Sequence, residues 1–226
     1  MEDLRGWLYT LPIDWIDGCP EQVFYEAREA YRSPGRHYHT WEHVLDCVEK
    51  LRAIPTESSR AVFLALVFHD AIYVPGRPDN EVLSAGLAAD VLSEHTRLSR
   101  EELEAIEKMI LATRHHVPEP GSSHDLRVAL DIDMSILGAD RESYEAYAAG
   151  VRREWVPAVT TEEKFKAGRA AFLSKLLTSK AMFTTEEGKE RWQAAARANV
   201  ALEFARLTEH ETLKQRFTRW VASKRG

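Results

Sequence analysis

The amino-acid sequence predicts a single domain built only of α-helices. Apolar residues recur at helical spacing along nearly the whole chain, and no segment alternates strictly enough to indicate a β-strand. Turn and capping signals separate these stretches, as at 33–35, at the loop 75–78 and at the capping box of Ser99 and Glu102. No internal repeat or change in composition divides the chain, so we expect one domain over residues 1–226.

The predicted helices follow these signals in chain order. The first lies within 11–32, and the second begins at Thr40 and ends before Pro55. The third, 59–69, is apolar nearly all round, which indicates a central position in the fold. The stretch 213–225 is basic and amphipathic and predicts a docked terminal helix. Further helices are predicted to begin at Asp79 or Asn80, Ser99, Asp125, Asp140, Thr160 and Thr184.

Composition and charge exclude several classes of protein. The formal net charge of −6 argues against a nucleic-acid binder, which needs a surplus of basic residues. The longest apolar run, 61–68, is far shorter than the roughly 20 residues of a membrane span, and residues 1–10 lack a signal-peptide pattern. Cys19 and Cys47 form no CxxC pair and are interpreted as small buried side chains. We therefore expect a cytoplasmic protein without membrane partners, and the sequence leaves its oligomeric state open.

One His-Asp pair stands out because of its surroundings. His69 and Asp70 end the most apolar segment of the chain, where both would be costly to bury without a partner or a metal ion. At the end of a helix the two side chains can converge on one cation. A second pair, His124 and Asp125, lies in a polar loop, where a helix cap is sufficient explanation for the aspartate.

Two further segments carry side chains that can join the first pair. In RHYHTWEH (36–43), His39 and His43 are four residues apart and can lie along one edge of a helix. In LDIDMSILG (130–138), Asp131 and Asp133 interrupt an apolar helix at a spacing of two and cannot share a face. One of them should point inward and need a counter-charge, and the pattern does not say which.

These segments, in this order, resemble the HD superfamily of metal-dependent phosphohydrolases, and in particular a bacterial branch of predicted HD phosphohydrolases. The resemblance covers about residues 31–197. The chain departs from the family pattern at Thr40, where Asn is usual, and at Arg114, where Lys is usual. The five matching segments are RHYHTWEH (36–43), FHDAIYVP (68–75), DNEVLSA (79–85), ATRHH (112–116) and LDIDMSILG (130–138).

The resemblance implies an HD-type helical bundle with a metal-site core at about 31–140 and C-terminal helices at about 141–226 packed on it. It also implies that His39 donates a proton. His116 is either a ligand of a second metal or an ordinary loop histidine. Glu81 is either catalytic, through the attacking water, or a first-turn acid favoured by the helix dipole. The implied metal ligands are His43, His69, Asp70 and Asp133, and Asp70 is also implied to be catalytic. The candidate phosphate-binding residues are Arg36 and Arg114. For each of these two arginines, the alternative interpretation is a surface salt bridge.

The function implied is hydrolysis of a nucleotide or other small phosphoester by a water that the metal activates. Mixed His and Asp ligands suit one or two divalent ions of Mn, Fe, Co, Zn or Mg. Two alternatives remain. One is an HD-fold di-iron oxygenase that recruits His115 or His116, and the other is a non-catalytic module that binds a metal or a nucleotide.

Overall fold

The computed structural model describes residues 4–223, with side chains described for 4–208. This part of the chain is all-helical, as predicted, with eleven α-helices, one 3-10 helix (Met134–Gly138) and no β-strand. The side chains of 213–225, predicted to dock as a terminal helix, lie outside the described ones. The α-helices are α1 (Leu4–Leu8), α2 (Ile13–Ile16), α3 (Glu21–Ala30), α4 (Trp41–Leu51), α5 (Ser59–Phe68), α6 (Asn80–His95), α7 (Arg100–Ala112), α8 (His124–Asp133), α9 (Arg141–Trp155), α10 (Glu162–Thr178) and α11 (Glu186–Ser223).

The central position predicted for the third helix is confirmed by α5. All of its residues from Ala61 to Phe68 are buried, and it packs against α2, α4, α7 and α8. A helix that is apolar on every side gains most when neighbours cover its whole circumference. Among the described residues, no helix is both long and apolar enough to cross a membrane.

Side-chain caps start several of the helices. The predicted capping box is confirmed, because Ser99 Oγ accepts from the N–H of Glu102 and the Glu102 carboxylate accepts from the N–H of Ser99. Asp140 caps α9 as predicted. The cap of α10 is Thr161, one residue later than predicted. Local sequence therefore locates these helix ends to within a residue.

The cap predicted at Asp125 is wrong. Ser123 Oγ accepts from the N–H of Leu126 and caps α8, so that Asp125 lies inside the first turn. The buried Asp125 carboxylate instead accepts from the N–H groups of Glu57 and Ser58, at 2.8 and 2.7 Å. It thereby fixes the loop that leads into α5.

Buried side chains form two clusters that meet at Trp192. The larger cluster runs from Leu4 in α1 to Ile132 in α8, so the hydrophobic core includes residues of α1–α3. The smaller cluster joins the 3-10 helix to the C-terminal helices. A Cβ on Gly138 would lie 2.6 Å from the backbone oxygen of Trp192, so only glycine permits this close approach to α11.

Asp131 and Asp133 point in different directions, as their spacing requires. Asp131 is buried and receives the backbone N–H groups and the hydroxyls of Thr184 and Thr185, at distances from 2.6 to 3.2 Å. It thus links α8 to the start of α11. This leaves Asp133 to face the histidines of α4 and α5.

Replacing Asp131 should therefore weaken the whole fold. We expect Asp131→Ala to lower the free energy of unfolding by about 3 kcal/mol, because several buried donors would lose their acceptor. Asp90→Ala, on an exposed position of α6, serves as the control and should change it by less than about 0.5 kcal/mol. Urea unfolding followed by circular dichroism measures both, and equal stabilities of the two variants would contradict this role.

Candidate metal centre and its cavity

The site begins with the orientation of His69 at the end of α5. Its Nδ1 lies 2.8 Å from the carbonyl oxygen of Leu66. A carbonyl can only accept, so Nδ1 carries the proton, and in the neutral ring Nε2 presents a lone pair to its surroundings. This is the arrangement in which a histidine is held ready to bind a metal ion.

Three side chains, from α4, from the second residue after α5 and from α8, converge on this Nε2. It lies 3.2 Å from His43 Nε2, 3.0 Å from Asp70 Oδ2 and 3.4 Å from Asp133 Oδ1. His43 Nε2 is in turn 3.1 Å from Asp133 Oδ1. The structure thus brings together all four of the ligands implied by the resemblance, His43, His69, Asp70 and Asp133.

This spacing fits a shared cation. Two donor atoms that each bind one ion at about 2.1 Å lie about 3.0–3.4 Å apart, depending on the angle between them. The ligand atoms of His43, His69 and Asp70 all lie within 4.8 Å of one another. Mixed nitrogen and oxygen donors suit a transition-metal ion. Because carboxylate oxygens suit Mg, a carboxylate at the edge of the four candidate ligands leaves Mg possible as a second ion.

Cys47 also lies next to the four candidate ligands. The sequence predicted only that Cys47 is a small buried side chain and did not predict this position. The residue is buried one helical turn after His43, and its Sγ lies 3.8 Å from the His43 ring. Cys47, His43 and Asp133 form a second set of candidate ligand atoms within 4.8 Å of one another. Burial, together with the charge of Asp133, raises the pKa of the thiol, so the protonated form is favoured.

The charges of the cluster are strongly coupled. Burial works against the charged form of His69, but Asp70 and Asp133 outweigh it and raise the pKa of His69 well above its usual value. Burial likewise works against the carboxylate of Asp70, yet His69 and His39 lower its pKa. Burial also works against the Asp133 carboxylate, but His69 and His116 lower its pKa. The site therefore favours two ionised carboxylates, which can bind a cation that displaces the proton from His69 Nε2.

His116 extends the site on the other side of Asp133. Its Nε2 lies 2.6 Å from Asp133 Oδ2, so the two oxygens of one carboxylate face different histidines. The backbone of His116 has a φ of 51°, in the left-handed region that residues other than glycine rarely adopt. Such a conformation is kept where neighbouring interactions hold it. The contact with Asp133 favours a role in the site over the loop alternative.

Glu154 is the functional residue that the sequence did not indicate. One carboxylate oxygen accepts from the backbone N–H groups of His37, Tyr38 and His39, at 2.7–3.0 Å. The other lies 2.7 Å from His39 Nδ1. The carboxylate can only accept, so it fixes a proton on His39 Nδ1 and holds the ring, which lines the cavity described below. Gly150, one turn earlier on α9, permits this contact, because a Cβ there would lie 3.0 Å from the His37 carbonyl oxygen.

Arg36 has a different role from the phosphate binding predicted for it. Its guanidinium donates to the carbonyl oxygens of His39, Asp70 and Ala71, at 2.7–2.8 Å. It also lies over the ring of Tyr31 and does not line the cavity described below. We therefore correct the prediction: Arg36 ties the His39 loop to the backbone after α5 and supports the site from behind.

A cavity of about 310 Å³ opens over the cluster. Its lining includes His39, Asp70, Glu81, Arg114, His116 and Asp133. His43 and His69 lie behind it and are almost completely buried. Apart from Arg36 and these two histidines, every residue predicted for the site therefore faces a single space, large enough for a small phosphorylated molecule.

Comparisons with family models, with curated proteins and with solved structures gave no match to this chain. The site is therefore described by its own geometry, and membership of the HD superfamily stays a prediction.

The environment of Glu154 makes stability depend on pH. Burial would raise its pKa, but His39 and the backbone N–H groups of Tyr38 and His37 lower it to about 2. The unfolded chain would have a pKa near 4.3, so the ionised form stabilises the fold above that pH. The stabilisation, about 3 kcal/mol at most, is lost as the pH falls toward 2.

The corresponding measurement is urea unfolding of wild type and Glu154→Gln between pH 6 and pH 2. The stability difference between them should shrink by about 2–3 kcal/mol over the acid half of that range. Glu163→Gln, on an exposed position of α10, is the matched control and should follow the wild-type curve. A curve for Glu154→Gln parallel to wild type throughout would contradict the assignment.

Proposed function

We propose that this protein is a metal-dependent phosphohydrolase that acts on a small phosphoester. The observation that carries the proposal is the convergence of His43, His69, Asp70 and Asp133 on one point at the base of a cavity, with His39 on the wall. The order of the motifs along the chain, which resembles HD phosphohydrolases, supports the same conclusion. Fold alone would not specify an activity, so the argument rests on this site.

The metal would be held by these four residues, with His116 available to a second ion through its contact with Asp133. A divalent cation bound there would polarise the phosphoryl oxygens and lower the pKa of a water. Arg114, which is exposed and lines the cavity, supplies a positive charge and planar donors for the phosphate. Glu81 lines the same cavity and can orient the attacking water.

His39 is placed to protonate the leaving group. Burial lowers its pKa, but Asp70 and Glu154 outweigh burial and raise it, so that the protonated ring is favoured. In the proposed step, the water oxygen forms a bond to phosphorus while the bond from phosphorus to the ester oxygen breaks. The electron pair stays on the ester oxygen, which takes a proton from His39. The attacking water releases a proton to solvent and His39 takes one up from solvent, so that a phosphomonoester gives an alcohol and inorganic phosphate.

The substrate class proposed is a nucleotide or another small phosphoester, and the nucleotide is suggested by the family resemblance alone. The size of the cavity, about 310 Å³, agrees with a small molecule. The net charge of −6 argues against a nucleic-acid partner.

The di-iron oxygenase is supported by one observation, the contact of His116 with Asp133. The other histidine considered for it, His115, lines a different cavity, with Val117 and Leu126. Strong visible absorbance of the iron-loaded protein, with oxygen uptake and no phosphate release, would favour this alternative.

Metal content is the first test of the site. We expect wild type purified without chelator to carry close to stoichiometric transition metal, and Asp70→Ala to lose most of it, because one charged ligand is removed. His124→Ala, in the other His-Asp pair of the chain, is the control and should keep its metal. Elemental analysis measures all three, and a wild type that stays metal-free after incubation with Mn, Fe, Co and Zn would contradict the proposal.

The role of His39 can be separated from that of the ligands. We expect His39→Gln to lower kcat for phosphate release by about 100-fold or more, with unchanged metal content, because the leaving oxygen loses its proton donor. His37→Gln changes an exposed side chain two residues away and should stay within about twofold of wild type. Equal kcat values for wild type and His39→Gln would rule out this assignment.

A further inference from the structure

A second cavity of about 390 Å³ lies between α9 and α10, next to the candidate metal centre. The two cavities share three lining residues, Val151, Trp155 and Phe172. The two cavities are therefore adjacent, and these side chains form their common boundary. None of the four candidate metal ligands lines the second cavity.

The lining of this second cavity is largely apolar and aromatic. Trp155 and Phe172 are joined there by Phe165, and Phe172 keeps 39% of its surface exposed. Aromatic side chains left partly open to solvent around a cavity are typical of ligand sites. They offer flat surfaces on which an apolar group gains by leaving water.

Two cations, Lys164 and Arg169, line the wall; Lys164 is exposed to solvent, and the buried Arg169 is already neutralised. Its guanidinium pairs with both carboxylate oxygens of Glu203, at 2.9 and 3.0 Å, and donates to the Tyr147 hydroxyl at 2.9 Å. Its face lies over the rings of Tyr147 and Phe172. The ion pair neutralises the guanidinium charge and the three hydrogen bonds fix its position, so it acts as part of the aromatic wall.

We propose that the second cavity binds the leaving group of the substrate and that this group is bulky and apolar, with an aromatic ring as its best occupant. The inference rests on the proposed phosphohydrolase function. The phosphate lies over the metal centre, the ester oxygen lies beside His39, and the hydrocarbon part of the alcohol extends past Trp155 and Phe172. The reaction is then hydrolysis of an aryl-alkyl phosphomonoester to the alcohol and inorganic phosphate. The bonds formed and broken are those of the step proposed for His39.

The test compares two phosphomonoesters that share a primary-alcohol leaving group, 3-phenylpropyl phosphate and propyl phosphate. Their P–O bonds have nearly the same intrinsic reactivity, so a difference in kcat/KM reports on binding of the phenyl ring. We expect the wild-type protein with its metal to prefer 3-phenylpropyl phosphate by about tenfold or more. The corresponding phosphonates, which have a P–C bond and are not hydrolysed, give the same comparison as Kd values by calorimetry.

Gly168 provides a substitution that fills the second cavity. It lines the cavity from an exposed position inside α10, and a Cβ added there meets nothing within 4 Å. Gly168→Leu therefore places a side chain at the cavity with little backbone strain, and leucine favours the helix more than glycine does. Gly86→Leu is the matched control, since Gly86 is also exposed inside a helix with open space at its Cβ and lies away from both cavities.

We expect Gly168→Leu to abolish the preference for the phenyl compounds in both kcat/KM and Kd, and to leave propyl phosphate within about twofold of wild type. Gly86→Leu should keep the wild-type preference, and thermal unfolding checks that both variants fold. If wild type hydrolyses the two esters equally well, or if Gly168→Leu retains the preference, the assignment of the second cavity to the leaving group is contradicted. The proposed phosphohydrolase function is not contradicted by either result. If neither ester is hydrolysed with any of the metals, the proposed function itself fails, and the inference fails with it.

Discussion

The buried imidazole of His69 has to satisfy two ring nitrogens at the end of a helix that is apolar on every side. One nitrogen is satisfied locally, by the carbonyl oxygen of Leu66 in the preceding turn. The other faces His43, Asp70 and Asp133, which come from separate parts of the chain. Buried polar groups of this kind are stable only as a complete set. The packing of α4 and α8 against α5 is therefore tied to the geometry of the cluster.

Two charged side chains position the catalytic candidate without lining the cavity themselves. Glu154 binds three consecutive backbone N–H groups at 37–39, and Arg36 binds the backbone carbonyls on either side of the cluster. Each replaces hydrogen bonds that a loop would otherwise make to water. Together they hold the loop of His39 against α5 and α9. Preorganisation of this kind is what a proton donor beside a metal centre requires.

The helices after α8 complete the site as well as cover it. Asp131 joins α8 to the start of α11, while α9 supplies Glu154 and one wall of the cavity. The same helix then continues into Trp155, which lies between the metal centre and the apolar cavity. One short segment of α9 thus contacts both the proton donor and the proposed path of the leaving group.

The sequence by itself determined the all-helical class, the central position of α5, the capping box at Ser99 and the convergence of His69 with Asp70, because these depend on helical periodicity and on neighbours within a few residues. Helical spacing left Asp131 and Asp133 open and the family resemblance selected Asp133, whose contact with the histidines the tertiary structure then shows. Tertiary structure alone decided that Arg36 binds backbone carbonyls and that Asp125 fixes a loop. It also decided the role of Glu154, whose partner His39 lies 115 residues earlier in the chain. In the sequence, Glu154 follows two arginines and matches an ordinary solvated helix face. A contact over such a separation leaves no local pattern, since only the packing of α9 brings the two side chains together.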